Sequence, residues 1–150
     1  MSQHHHEVFE AIRDEYEDVV AALQKASGGK KRGTPGRPAY NPERLPTAIV
    51  TAGDAYALLL IATAEAFLRE YLSNMGVAIR QEQTLSTLIN QSAKELNGRS
   101  PGTPIRSVEK ELMHSLRVNR NAYAHGHGRS VFPSVARVVS IVSRFLSPFP

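Results

Sequence analysis

The sequence predicts an all-α fold, a helical bundle of about five helices with short connections and one long basic loop. Three observations predict it. Apolar residues recur at steps of three and four in several separate segments, the period of a helix with one buried face. No stretch alternates apolar and polar residues over a useful strand length, so no sheet is expected. The 10 glycines and 9 prolines fall mainly between the periodic segments, where they start or stop helices.

At 150 residues the chain is expected to be a single domain, 1–150, with enough length for a core, and it shows no internal repeat. Its hydrophobic fraction of 41% is ordinary for a soluble globular protein. Cysteine is absent, which excludes a disulfide framework and a cysteine zinc site and fits a cytoplasmic protein. The first ten residues are polar and charged and do not read as a signal peptide. The longest apolar run, 55–64, is about half the length of a membrane span, so no membrane partner is expected. The formal charge of +4 is a mild pointer to a polyanionic partner.

In chain order, His4, His5 and His6 read as either a metal site or a tag remnant, and nothing nearby completes a coordination shell. The stretch 7–26 predicts an amphipathic helix with Val8, Ile12, Tyr16, Val19, Val20 and Leu23 on one side, stopped by Gly28 and Gly29. The segment 28–45 is crowded with glycine and proline. Lys30, Lys31, Arg32, Arg37 and Arg44 stand there against one acid, Glu43. It predicts a flexible basic loop, either an arm on a phosphate backbone or a solvated linker. The helix and loop together make up 1–45.

The segment 46–75 predicts the longest helix, with Pro46 in its first turn and Gly76 as its stop. Its middle is apolar almost all round, as in a helix buried in a bundle. Glu65 is the exception. A lone buried carboxylate is costly, so Glu65 is expected to find an arginine or other donors, as a structural ion pair or as a supporting residue of a site. The stretch 84–96 predicts a shorter helix burying Leu85, Leu88, Ile89 and Leu96, closed by Asn97 and Gly98. The fourth helix is expected over 104–125, with Thr103 as N-cap, Pro104 as first residue, and Leu112, Leu116 and Tyr123 as its core stripe. The last helix, 131–146, buries Val135, Val138, Val139, Val142 and Leu146, and Pro148 and Pro150 end it.

The fourth helix closes on Arg120-Asn121-Ala122-Tyr123-Ala124-His125-Gly126. At about 100° per residue, His114, Arg117, Asn121 and His125 share a sector roughly opposite the Leu112–Leu116–Tyr123 stripe, while Arg120 lies about 120° or more from His125. One straight helix therefore does not aim Arg120 and His125 at one atom, whereas two helices meeting at a two-fold axis can. The residue types suit phosphodiester chemistry. Histidine takes and gives a proton near neutrality. Arginine brings a permanent charge and a fork that fits phosphate oxygens. Asparagine can orient a hydroxyl or the imidazole. No carboxylate cluster stands nearby, so a magnesium mechanism is not supported and no cofactor is expected. A histidine-activated 2′-hydroxyl attacking its own phosphate, with arginine stabilising the developing charge, is the reaction these groups fit. The plainer alternatives are His125 as a helix C-terminal residue with Gly126 at C′, and Arg120 as the partner of Glu65.

The string 116–126 resembles the signature of the HEPN superfamily (higher eukaryotes and prokaryotes nucleotide-binding domain): arginine, four to six residues, then histidine. Arg120, Asn121, Ala124, His125 and Gly126 match it. The resemblance covers 46–147 and includes the order of helices. It implies a bundle that dimerises with its motifs facing each other. It further implies a metal-independent endoribonuclease of the toxin, defence or RNA-processing kind, cutting RNA to a 2′,3′-cyclic phosphate and a 5′-hydroxyl. Arg120 and His125 would be catalytic, with Asn121 supporting them. Other members are non-catalytic modules that bind RNA, nucleotides or proteins. An antitoxin or a nucleotidyltransferase is the implied partner in some members, and those paired with a nucleotidyltransferase carry a modifiable tyrosine two residues after the histidine. Here that position is His127, either a second titrating group or a loop residue. Arg117 and Arg129 flank the motif as RNA-phosphate ligands or solvated side chains.

Overall fold

The long apolar segment forms the helix on which the others are laid. The structure, a computed structural model, describes residues 3–28, 44–99, 104–126 and 132–150. Five helices follow in order: α1 (Gln3–Gly28), α2 (Leu45–Asn74), α3 (Leu85–Arg99), α4 (Ser107–Ala124) and α5 (Val135–Leu146). No strand occurs among the described residues, so the molecule is an all-α helical bundle. Of the basic segment 28–45, residues 29–43 lie outside the described residues, as do Thr103, His127 and Arg129, while its ends belong to helices: Gly28 closes α1, Arg44 is the N-cap of α2 and Leu45 opens it.

α2 packs against each of the other four helices. Ala57, Leu60, Ile61, Ala64, Leu68 and Leu72 are all fully buried along one face, but Val50 and Leu59, equally apolar, are exposed, so α2 is not enclosed all round as its composition suggested. Its length and composition would also let it cross a membrane, with mean hydropathy 1.6 over 18 residues. Counting uninterrupted apolar residues understates it, because single polar residues such as Asp54 break the run without lowering the average much. Gly76 ends the helix at φ +73°, a left-handed conformation that glycine adopts without a Cβ clash.

α1 starts four residues earlier than its periodicity indicates, so His4–His6 fall in its first turns; His6 is exposed. It lies against α2 and α5, burying Phe9 and Ile12 in the core, with the Tyr16 and Tyr56 rings 5.5 Å apart across the α1–α2 contact. Val19, Val20 and Leu23 stay half-buried, so the packed part of α1 is its N-terminal half. α3 runs through Asn97 and Gly98 to Arg99. Asn97 does not cap this helix by its backbone; its side-chain oxygen accepts the Ile105 N–H at 2.9 Å and ties down the entry to α4.

α4 begins at Ser107, three residues beyond Pro104. Glu109 sets that start: its carboxylate accepts the Arg106 backbone N–H at 3.1 Å and the Arg106 guanidinium at 2.6 Å. These bonds hold the Glu109 carboxyl below the usual carboxylate range against the opposing effect of burial. α5 begins at Val135, where Ser134 Oγ accepts from the Arg137 N–H at 3.3 Å. Past its end, Phe149 turns back into the core against Phe67, Tyr71 and Phe145.

Candidate functional site

The site begins with how α4 is turned. Its buried residues are Glu109, Met113 and Leu116, at steps of four and three. The next position in that row is Arg120. The core stripe is therefore not Leu112–Leu116–Tyr123: Leu112 is half-buried and Tyr123 is exposed, with its ring 5.7 Å from Phe132. Choosing Met113 in place of Leu112 rotates the helix enough to move Arg120 from the flank onto the inward face. There it puts a guanidinium where the row would otherwise place an apolar side chain.

Arg120 meets α2. Its Nη1 donates to Glu65 Oε2 at 2.7 Å, and Arg69 Nη2 donates to Glu65 Oε1 at 2.9 Å. The expected partner of Glu65 is thus two arginines, one from its own helix at i+4 and one from α4. Arg69 has a further task. Its Nη2 also donates to the Gln83 carbonyl at 2.8 Å, which fastens the connection between α2 and α3 against α2.

These contacts frame an open cleft of about 420 Å³. α2 supplies Glu65 and Arg69 to its wall, the α2–α3 connection Gln81 and Gln83, and α4 Arg117, Arg120 and Asn121. Three arginines face one carboxylate there, an excess of positive charge. The carboxylate is already taken by two guanidinium groups, so the free chemistry of the cleft is that of arginine and amide side chains, suited to an anion.

His125 stands elsewhere. It is the C-cap of α4, with its backbone N–H donating to the Asn121 carbonyl at 3.1 Å, and its side chain is exposed. Gly126 follows at φ +70° as the C′ residue. The cleft wall stops at Ala124, one residue short of His125. Within one chain, then, Arg120, Asn121 and Arg117 come together, and His125 sits on the rim beyond them. His114 is one turn before Arg117. Its Nε2 lies 3.3 Å from Asn90 Oδ1 of α3, and burial, with repulsion from Arg117 and Lys110, pushes its pKa below the ordinary histidine value.

Sequence reasoning missed Arg69, Gln81 and Gln83. The i,i+4 spacing of Glu65 and Arg69 was a readable signal. The glutamines had none, since their placement depends on how the connection folds back. No protein-family model, curated protein or solved structure matches this chain.

Proposed function

We propose that the protein is a metal-independent endoribonuclease of the HEPN type, acting as a cytoplasmic homodimer on RNA with no membrane partner. The observation that carries the reading is the end of α4, where Arg120 and Asn121 line a cation-rich cleft and His125 stands exposed at its rim. An exposed C-terminal histidine is accessible to a second copy, so two α4 ends facing across a two-fold axis bring the Arg120 of one chain toward the His125 of the other. His125 acts as general base on the 2′-hydroxyl, Arg120 stabilises charge on the phosphate oxygens, and Asn121 orients the attacking group. The 2′-oxygen bonds to phosphorus as the bond to the 5′-oxygen breaks; His125 holds the 2′-hydroxyl proton and the departing 5′-oxygen takes one from water, giving a 2′,3′-cyclic phosphate and a 5′-hydroxyl. Glu65 supports the site by holding Arg120 at 2.7 Å. A toxin or defence role, with an antitoxin or nucleotidyltransferase as partner, belongs to the same reading.

The alternative is a non-catalytic module of the same type that binds RNA, a nucleotide or a protein. It is favoured by the engagement of Arg120 with Glu65, which leaves one cation fewer for a substrate. Cleavage of a labelled mixed-sequence RNA in excess EDTA separates the two. Wild type is expected to yield cyclic-phosphate ends, and His125→Ala or Arg120→Ala to lose cleavage while retaining the helical circular-dichroism spectrum. Unchanged cleavage by either variant removes the catalytic assignment of that residue.

A further inference from the structure

A second, smaller cavity opens between α3 and the start of α4. Its volume is about 210 Å³, and Asn90, Lys94, Asn97, Ser107 and Lys110 supply its polar lining. No carboxylate lines it, and neither lysine forms a salt bridge among the described residues. The sequence shows why. None of the residues three or four positions from Lys94 or from Lys110 is acidic, so neither lysine has a partner on its own helix. The two asparagines are turned by bonds made elsewhere. A backbone N–H can only donate, so the Ile105 N–H fixes Asn97 Oδ1 on its own side at 2.9 Å and leaves the Asn97 amide nitrogen as a donor. Asn90 Oδ1 lies 3.3 Å from His114 Nε2, which leaves the Asn90 amide nitrogen in the same way. The cavity is therefore furnished with two ammonium groups, two amide donors and a hydroxyl, and with no anionic acceptor.

We propose that this cavity binds a small inorganic oxyanion, with sulfate the best fit, held between Lys94 of α3 and Lys110 of α4. Two like charges at one cavity repel each other, and a dianion between them replaces that repulsion by two attractions. Sulfate near neutral pH only accepts hydrogen bonds, which matches a lining of donors. Hydrogen phosphate carries an O–H for which the lining offers no anionic acceptor. The volume lies below the range of about 300–1,000 Å³ usual for organic ligands, which favours a compact ion. The cavity shares no residue with the cleft of Arg117 and Arg120, and Lys110 lies about 10 Å before Arg117 along α4 at a rise of about 1.5 Å per residue. A bound anion would join α3 to the first turn of α4, beside the Asn97–Ile105 bond that already ties them. It would thereby fix the helix that carries Arg120 and His125. The site goes beyond the ribonuclease reading and does not depend on it.

The experiment is calorimetric titration of the full chain with sodium sulfate near neutral pH, with ionic strength held constant by sodium chloride. Saturable binding of sulfate is expected. Phosphate should bind no tighter, and adenosine monophosphate should not displace the sulfate. Lys94→Gln and Lys110→Gln should each weaken binding about tenfold or more, the size of one lost charged hydrogen bond. Asn97→Asp is the sharper variant. Its carboxylate still accepts the Ile105 N–H, so the fold is kept, but a negative charge replaces the amide donor and binding should be lost. Its melting temperature without sulfate checks the fold. His114 gives a local readout. Burial first, then Arg117 and Lys110, lower its pKa. An anion beside Lys110 offsets that lysine's share, so sulfate should raise the His114 pKa in an NMR titration of wild type and leave it unmoved in Lys110→Gln. No saturable binding by wild type overturns the proposal. Equal binding by wild type and the three folded variants means an adventitious ion only, and overturns it as well. Phosphate binding far more tightly than sulfate, or displacement of sulfate by adenosine monophosphate, overturns the choice of ligand.

Discussion

α4 and α5 lie side by side, and they use their surfaces in opposite ways. α5 has 12 residues and buries seven, all apolar. α4 has 18 residues and buries three, one of them a glutamate. The shorter helix contributes the larger share of core. The longer one makes its specific contacts through polar groups: Glu109 to Arg106, His114 to Asn90, and Arg120 to Glu65. A helix that packs weakly for its length and is positioned by directed bonds is suited to presenting side chains. A helix that buries most of its residues is suited to holding the bundle together.

The largest expected difference between them is in stability. Phe145 of α5 is fully buried, with its ring 5.7 Å from that of Phe149. Phe145→Ala removes both the transfer free energy and the packing around the ring, and should cost about 3–5 kcal/mol. The exposed Val118 of α4 is the control; Val118→Ala should stay within about 0.5 kcal/mol of wild type. Urea denaturation of both variants measures this. A loss under about 1 kcal/mol at Phe145 would mean that α5 is not the core helix described.

The same contrast explains what was legible in the sequence. α5 could be read almost residue by residue, because Val135, Val138, Val139, Val142 and Leu146 are buried for the reason that makes them periodic. Periodicity reports burial, and in α5 burial is the whole account. In α4 the pattern contained two nearly equivalent stripes. Leu112 and Met113 are both apolar, and only packing against α5 and α3 decides which turns inward. That choice set the orientation of Arg120. The need of Glu65 for a cation followed from its place in an apolar helix, and Arg120 stood among the plain alternatives as its partner. The cleft itself was not legible. It depends on where Arg69 draws the α2–α3 connection, a contact across 14 residues with no pattern to announce it.

Glu65 gives a middle-sized test of how far α4 depends on directed bonds. Glu65→Ala leaves Arg120 without its carboxylate and should lower stability by about 1–3 kcal/mol. The pair itself is worth less. The Arg120 side chain is 38% exposed and the Glu65 side chain 16%, so solvent screens part of the attraction. A double-mutant cycle of Glu65→Ala with Arg120→Ala should give a coupling of about 1 kcal/mol. Strict additivity of the two losses would show that the pair does not orient α4.

The smallest effect sharpens the contrast by pH. His114 lies between α4 and α3, and burial first, then the positive charges of Arg117 and Lys110, lower its pKa in the folded chain. A lowered histidine pKa means that the folded state prefers the neutral imidazole. In the unfolded chain the group protonates near its ordinary value, about 6.5. Below that pH the unfolded state binds the proton more readily, so stability falls. This contribution is complete above the unfolded pKa and is lost as pH falls through the folded one. His114→Gln retains an amide that can bond Asn90 but cannot titrate, so its stability should change less than wild type between about pH 7.5 and 5. Parallel stability curves for the two proteins would exclude His114 as the source. Arg117→Ala separates the causes: it removes one repulsive charge, so the imidazole should titrate nearer its ordinary value in an NMR titration, while the shift due to burial remains. A full return to the ordinary value would mean that charge, not burial, governs this face of α4.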